Sequence, residues 1–202
     1  MRRIYPCLFL GLLIAGSAIA DDHAATLTET CNGCHGDAGV SRWTDMPTIA
    51  GIDAFTHANA LYEYRDGERP CATSDFRQGD TSRAAASMCD LAADLSDQQI
   101  EDIAAHYAAL PFVPAEQAFD PALAAAGKKV HDAACARCHS DGGANPEDEA
   151  SILAGQHMGY LETTFAQYAS GERAQMDKMK EKMDPLSEDD VKALIHYYAS
   201  QQ

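Results

Sequence analysis

Apolar residues recur at helical spacing near the end of each half of the chain. After Ser96 the apolar positions are Ile100, Ile103, Ala104, Tyr107 and Ala108. After Ser187 they are Val191, Leu194, Ile195, Tyr198 and Ala199. A three- to four-residue period predicts an amphipathic helix, and a serine just before it is a good N-cap. The pattern therefore predicts two matching terminal helices.

Two further helices are predicted ahead of each terminal helix, four in all. They cover about 23–31, 54–64, 121–135 and 158–170. Almost no stretch alternates between apolar and polar residues, which is the pattern of a half-buried strand. The sequence therefore predicts an all-α fold.

An internal repeat divides the chain into two units of similar plan. An offset of 104 residues aligns Ala50-Gly51 with Ala154-Gly155, and the segment 64–69 with 168–173. Farther on the offset falls to 91, so the first unit carries 13 extra residues between Arg69 and Leu95. Prolines at 111, 114 and 121 resist helix continuation. We predict one domain at 21–110, a linker at 111–121 and a second domain at 122–202.

The first twenty residues have the pattern of a secretory signal peptide. Arg2 and Arg3 precede an almost wholly apolar run at 8–14, and Ala18-Ile19-Ala20 fits a small-residue cleavage site. This run is too short for a membrane span, which needs about 20 apolar residues, and no later segment is apolar enough. We therefore expect export to the periplasm and no membrane-spanning segment.

The charge balance is strongly acidic, with 15 basic and 31 acidic residues and a formal net charge of −16. A field of this sign repels nucleic acid and anionic lipid, so neither is an expected partner. It attracts a basic redox partner, although acidity also serves simple solubility.

The motif Cys-x-x-Cys-His occurs twice, at 31–35 and 135–139. Its two thiols attach haem covalently, and its histidine becomes an axial iron ligand. A bare Cys-x-x-Cys also occurs in redox dithiols and zinc sites. The first needs a βαβ setting and the second needs further ligands, and the sequence offers neither. We predict two haem c groups, on Cys31 and Cys34 with His35, and on Cys135 and Cys138 with His139.

The repeat also selects the second axial ligands. Met88 lies seven residues before Leu95, and the 91 offset places it on Met179, seven before Leu186. No other methionine pair is related in this way. We predict His/Met ligation by Met88 and Met179, although a methionine in such a segment is often only core filler. Met176 and Met183 lie one helical turn to either side of Met179.

Cys71 and Cys89 both lie in the longer region of the first unit. Two remaining cysteines in an exported protein most often pair, so we predict a disulfide beside Met88. The alternatives are a thiolate metal site, such as a copper centre, and a reactive thiol near the haem.

The haem motifs, the Ala-Gly turns and the paired methionine segments resemble those of the di-haem class I cytochromes c of the c-four group. From about residue 120 on, the chain is similar to the cytochrome subunit of flavocytochrome c sulfide dehydrogenase. The segments that carry this likeness are 127–132, 135–139, 152–156 and 198–202. The resemblance implies two tandem class I cytochrome c domains with the haem ligands given above. In this class a proline lies beside the proximal ligand, where the first unit has Pro47 and the second has Ser151.

The flavocytochrome resemblance implies an electron-transfer subunit without catalytic residues of its own. It would take electrons from a flavin-binding sulfide dehydrogenase subunit and pass them from haem to haem to a soluble cytochrome or similar acceptor. The chain has no Gly-rich nucleotide-binding motif, so flavin binding is not expected here. The alternatives are a free-standing di-haem carrier to a terminal oxidase and an enzyme with an open haem or copper centre.

Overall fold

The computed structural model describes residues 18–202, which are mainly helical. Its α-helices are α1 (Ala18–His35), α2 (Ala54–Arg65), α3 (Met88–Ala92), α4 (Asp97–Ala108), α5 (Pro121–Val130), α6 (Met158–Ser170), α7 (Asp177–Met183) and α8 (Glu188–Ala199). The predicted signal peptide, residues 1–20, lies outside the described residues except for its last three, where α1 begins.

The two terminal helices predicted from the apolar pattern are confirmed. The side chain of Ser96 accepts a hydrogen bond from Gln99 N, and the Gln99 side chain bonds back to the Ser96 backbone. Ser187 and Asp190 form the same reciprocal capping box at the start of α8. Each box satisfies backbone donors that the first turn of a helix leaves unpaired. The predicted positions of α2 and α6 are also confirmed.

Three local features differ from the sequence-based expectation. Helix α1 continues through the first haem motif, whereas α5 ends at Val130 and a π-helical turn covers His131–Cys135. A two-stranded antiparallel sheet pairs β1 (Thr73–Ser74) with β2 (Ala86–Ser87) inside the longer region of the first half. Strands of two residues are too short to show an alternating pattern.

Each half has its own hydrophobic core. The first lies among α1, α2 and α4 and centres on Leu61, Ile100, Ile103 and Tyr107. The second lies among α6, α8 and the segment before the second haem motif, and it centres on Leu161, Phe165, Leu194 and Tyr198. Tyr107 and Tyr198, related by the 91 offset, are both fully buried.

Polar contacts join the two halves. The Gln156 side chain bonds to the backbone of Thr48, and Tyr160 N donates to Thr44 O at 2.9 Å. The segment 111–120 forms neither helix nor strand and lies along the second half, where Ala115 N donates to Gly155 O at 2.8 Å. No helix within residues 18–202 combines the length and the apolar character that crossing a bilayer demands.

Candidate haem sites

The two Cys-x-x-Cys-His motifs lie where a helix meets a core. In the first half Cys31, Cys34 and His35 occupy the last turns of α1, and Cys31 packs against the first core. In the second half Cys135 closes the π-helical turn and packs against the second core. Spacings of three and four residues place side chains on one face of a helix, so the motif residues can approach a single ligand.

A buried tyrosine lies over the first cysteine of each motif. The hydroxyls of Tyr107 and Tyr198 contact the thiols of Cys31 and Cys135, respectively. Burial raises the pKa of the Cys31 thiol to about 11, and burial also raises the pKa of Cys135. Reactive dithiols depend on a lowered thiol pKa. The environment of these cysteines therefore does not favour the redox-dithiol interpretation.

The geometry of His35 suits an axial ligand. Its Nδ1 lies 3.0 Å from the carbonyl oxygen of Pro47, which can only accept, so Nδ1 carries the proton and Nε2 keeps its lone pair. Burial lowers the pKa of His35, opposed by the Pro47 carbonyl, and this favours the neutral ring. A hydrogen bond from one ring nitrogen that orients the other is the usual support of a metal-bound histidine.

The second half lacks an equally good support. Within the described part of the chain, His139 Nδ1 is buried without a hydrogen-bond partner, although the backbone of Ser151 lies close enough to influence its pKa. Burial lowers the pKa of His139, and the Ser151 backbone opposes that shift. The two proximal histidines are therefore held differently, at the position where the sequence replaces Pro47 by Ser151.

The predicted methionine ligands differ in their surroundings. Met88 is the first residue of α3, and its half-buried side chain packs against the first core. Met179 is half-buried within α7, where Met183 is the methionine that packs against the second core. Met176 is 75% exposed. The assignment of Met179 therefore still depends on the repeat.

Two buried arginines, Arg69 and Arg173, are further candidates for the haem sites, and the sequence pattern did not assign them a role. Arg69 and Arg173 are 9% and 8% exposed, and their guanidinium groups lie 4.7 Å from the ring centres of Tyr64 and Tyr168. The 104 offset relates the arginines to each other and the tyrosines to each other, so this repeat was the signal that could have identified them.

The arginine pair has too little negative charge around it. Among residues 27–202, whose side chains the structure describes, Arg69 has one carboxylate within 4.0 Å, that of Glu63 at 3.6 Å, and Arg173 has none. Burial alone would raise the pKa of the Tyr160 hydroxyl. The positive charges of Arg69 and Arg173 outweigh this effect, so the pKa of Tyr160 is lowered. Buried charges in proteins are normally paired, and a haem brings two propionates. The residues present therefore fit a haem in two respects: the motif cysteines can attach it, and the buried arginines can pair with its propionates.

Cys71 and Cys89 are joined by a disulfide in the structure. Both sulfur atoms lie near the Arg69 carbonyl oxygen, at 3.3 and 3.8 Å. The bridge thus connects the residue after Met88 to the segment that carries Arg69. Residues 18–202 contain no group of three or more His, Cys, Asp or Glu side chains arranged to hold a metal ion.

Two helical halves, each with a Cys-x-x-Cys-His motif against its core, define a di-haem c-type cytochrome. The family of the cytochrome c oxidase cbb3-type subunit III matches residues 122–197. Cytochrome c4 of Stutzerimonas stutzeri is 29% identical, over 98% of each chain. The thiosulfate dehydrogenase electron acceptor of S. stutzeri strain A1501 is 30% identical, over 84% of this chain and 78% of its own.

Solved structures agree with this relationship. The crystal structure of reduced recombinant cytochrome c4 from Pseudomonas stutzeri superposes with a TM-score of 0.71 at 26% identity, covering 92% of this chain and all of that one. The chain belongs to the family of di-haem cytochromes c that includes cytochrome c4 and the thiosulfate dehydrogenase electron acceptor. It carries two covalently bound haem c groups and is an electron carrier.

Proposed function

We propose that Cys31 and Cys34 hold the first haem, with His35 and Met88 as the axial ligands. Cys135 and Cys138 hold the second, with His139 and Met179 as its ligands. A bound haem supplies one-electron chemistry at its iron. The hydrogen bond between His35 and Pro47 and the contact of Met88 with the first core support the first assignment. The repeat supports the second.

The proposal also covers the location and the domain limits. Residues 1–20 act as a signal peptide, and the mature protein works in the periplasm as domains 21–110 and 122–202, with residues 111–121 between them. The disulfide between Cys71 and Cys89 supports this location because disulfides persist in oxidising compartments.

The electron donor that we propose is a dehydrogenase that oxidises a reduced sulfur compound. The observation that carries this proposal is the 30% identity to a thiosulfate dehydrogenase electron acceptor over 84% of the chain. A flavin-binding sulfide dehydrogenase subunit is the second candidate donor, favoured by the resemblance of the segment after residue 120 to a flavocytochrome subunit. In both cases the chain itself performs no substrate chemistry and passes electrons to a soluble acceptor.

Reduction assays with purified donors test this function. The oxidised holoprotein is mixed with a thiosulfate dehydrogenase and thiosulfate, or with a flavin-containing sulfide dehydrogenase and sulfide, and haem reduction is followed by absorbance. Each substrate without enzyme is the control, because sulfide reduces haem directly. Rapid enzyme-dependent reduction by one donor identifies it. A different result would be that neither donor reduces the protein and that a terminal oxidase oxidises the reduced protein directly. The protein would then be a free-standing electron carrier to an oxidase.

A further inference from the structure

The longer region of the first half, residues 70–94, folds back over the first haem motif. Arg77 N and Gln78 N both donate to Gly33 O, at 2.8 and 3.1 Å. The Gln78 side chain donates to Asn32 O at 2.9 Å. These bonds attach residues 70–94, which we call the cover, to the two residues between Cys31 and Cys34.

The cover also encloses the second cysteine of the motif. Phe76 is 5% exposed and lies directly on Gly33, where an added Cβ would come within 2.6 Å of the ring. Only glycine leaves room for this contact. The Cys34 Sγ lies 3.7 Å from Asp75 O, and Cys34 as a whole is 9% exposed. Cys34, where the first haem would be attached, is therefore covered by a layer of polypeptide.

Among the described residues, 18–202, no such layer covers the second haem motif. The residue that matches Gly33 is Arg137, which is exposed, and the cysteine that matches Cys34 is Cys138, which is also exposed. Only twelve residues, 174–185, replace the cover there.

The cover is fixed rather than loosely attached. The disulfide joins Cys71, near the start of the cover, to Cys89, five residues before its end, and the β1–β2 pair lies just inside that bridge. Arg77 forms a bidentate ion pair with Asp45, with both distances 2.6 Å. The guanidinium of Arg83 lies 4.0 Å from the centre of the Phe76 ring.

We propose that the cover closes the Cys34 edge of the first haem to external redox partners, so that electrons are exchanged with them at the Cys138 edge of the second haem. Electron transfer slows steeply with the distance between donor and acceptor, so a polypeptide layer over one edge favours the bare edge. The first haem then communicates with partners through the second. This inference depends on the proposed haem attachment at Cys34 and Cys138, but not on the identity of the donor.

Solvent access to the two edges is measured by NMR on the reduced, diamagnetic holoprotein. A soluble gadolinium chelate broadens the resonances of exposed groups. We expect it to broaden the thioether methyl resonance at Cys138 several times more strongly than the one at Cys34. Equal broadening at the two thioethers would overturn the inference. Absence of a thioether resonance at Cys34 would instead refute the proposed attachment.

Two variants test the cover itself. In the first, residues 75–85, which lie between β1 and β2 and make the contacts with the haem motif, are replaced by a short Gly-Ser turn, which keeps Met88 and both bridge cysteines. In the second, Phe76→Ala opens the contact with Gly33, and Phe76→Leu is its apolar control. Both opened variants should show increased broadening at Cys34, whereas Phe76→Leu should resemble the wild type.

The functional readout is oxidation of the reduced protein by tris(phenanthroline)cobalt(III), a cation that the acidic chain attracts. The rate of oxidation should rise when the cover is removed, because electrons can then leave at the Cys34 edge as well as at the Cys138 edge. An unchanged rate in a variant whose Cys34 edge has become accessible would show that the cover does not control electron exchange.

Discussion

The side-chain amide of Gln156 forms two hydrogen bonds with the backbone of Thr48, both 2.9 Å long. Thr48 N donates to Oε1, and Nε2 donates to Thr48 O. Both residues are 1% exposed. Thr48 directly follows Pro47, whose carbonyl accepts from His35. A residue of the second half thus fixes the segment that orients the proximal histidine of the first.

Replacing Gln156 by leucine should destabilise the holoprotein by about 3 kcal/mol, because it leaves a buried donor and a buried acceptor of Thr48 unpaired. Urea unfolding followed by circular dichroism measures the loss. The midpoint potential of the first haem should also shift, because the Pro47 carbonyl is then less well fixed. Gln98→Leu removes an exposed bond to Asp102 and is the control. A loss as small as that of the control would contradict the prediction.

Met88→Ala and Met179→Ala should each abolish half of the far-red absorption band that ferric haem shows with methionine ligation. The matched control is Met183→Ala, which removes core packing and should lower the free energy of unfolding by about 2–4 kcal/mol while leaving the band intact. The measurement is the far-red absorbance of the oxidised protein, which shows whether each haem keeps its methionine ligand. If Met183→Ala abolishes the band and Met179→Ala does not, the ligand assignment in the second half is wrong.

Substituting both Cys71 and Cys89 by serine should lower the free energy of unfolding by about 3 kcal/mol, because the bridge spans 18 residues and restricts the unfolded chain. Chemical denaturation of the oxidised holoprotein measures the change. Treatment with a dithiol reductant should produce a similar loss in the wild type and none in the variant. Equal stability of wild type and variant before reduction would count against a structural role for the bridge.

The stability of the protein should fall as the pH falls below about 6.5, the pKa of an unfolded histidine. His131 is 1% exposed, and its Nδ1 lies 3.1 Å from the Tyr198 hydroxyl. Burial lowers the pKa of His131. The negative charge of Asp132 opposes this shift, and the positive charge of Lys128 adds to it. The folded state therefore binds this proton less readily than the unfolded state, and the stabilising contribution is present above the unfolded pKa and lost as the pH falls.

The measurement is the free energy of unfolding at a series of pH values for wild type and His131→Gln. The variant should be less stable at neutral pH and should show a shallower decrease below about pH 6.5. Since all other titrating groups are shared, parallel curves would show that His131 does not contribute to the acid sensitivity.

The terminal helices, α2 and α6 could be predicted because an apolar period and local capping residues are properties of neighbouring positions. The His35–Pro47 bond could be anticipated from a proline in a familiar position. The contacts of Gln156 with Thr48 and of Phe76 with Gly33 could not, because they join residues 108 and 43 positions apart. The repeat relates Arg69 to Arg173, but it could not show that both are buried, since burial is decided by the assembled halves.

The last helix of each half brings a fully buried tyrosine against the first cysteine of the haem motif, Tyr107 against Cys31 and Tyr198 against Cys135. Each of these side chains therefore belongs to the helical core and to the wall of the cofactor site at once. A substitution at either tyrosine would disturb both together, so the packing of the final helix also sets the shape of the cofactor site.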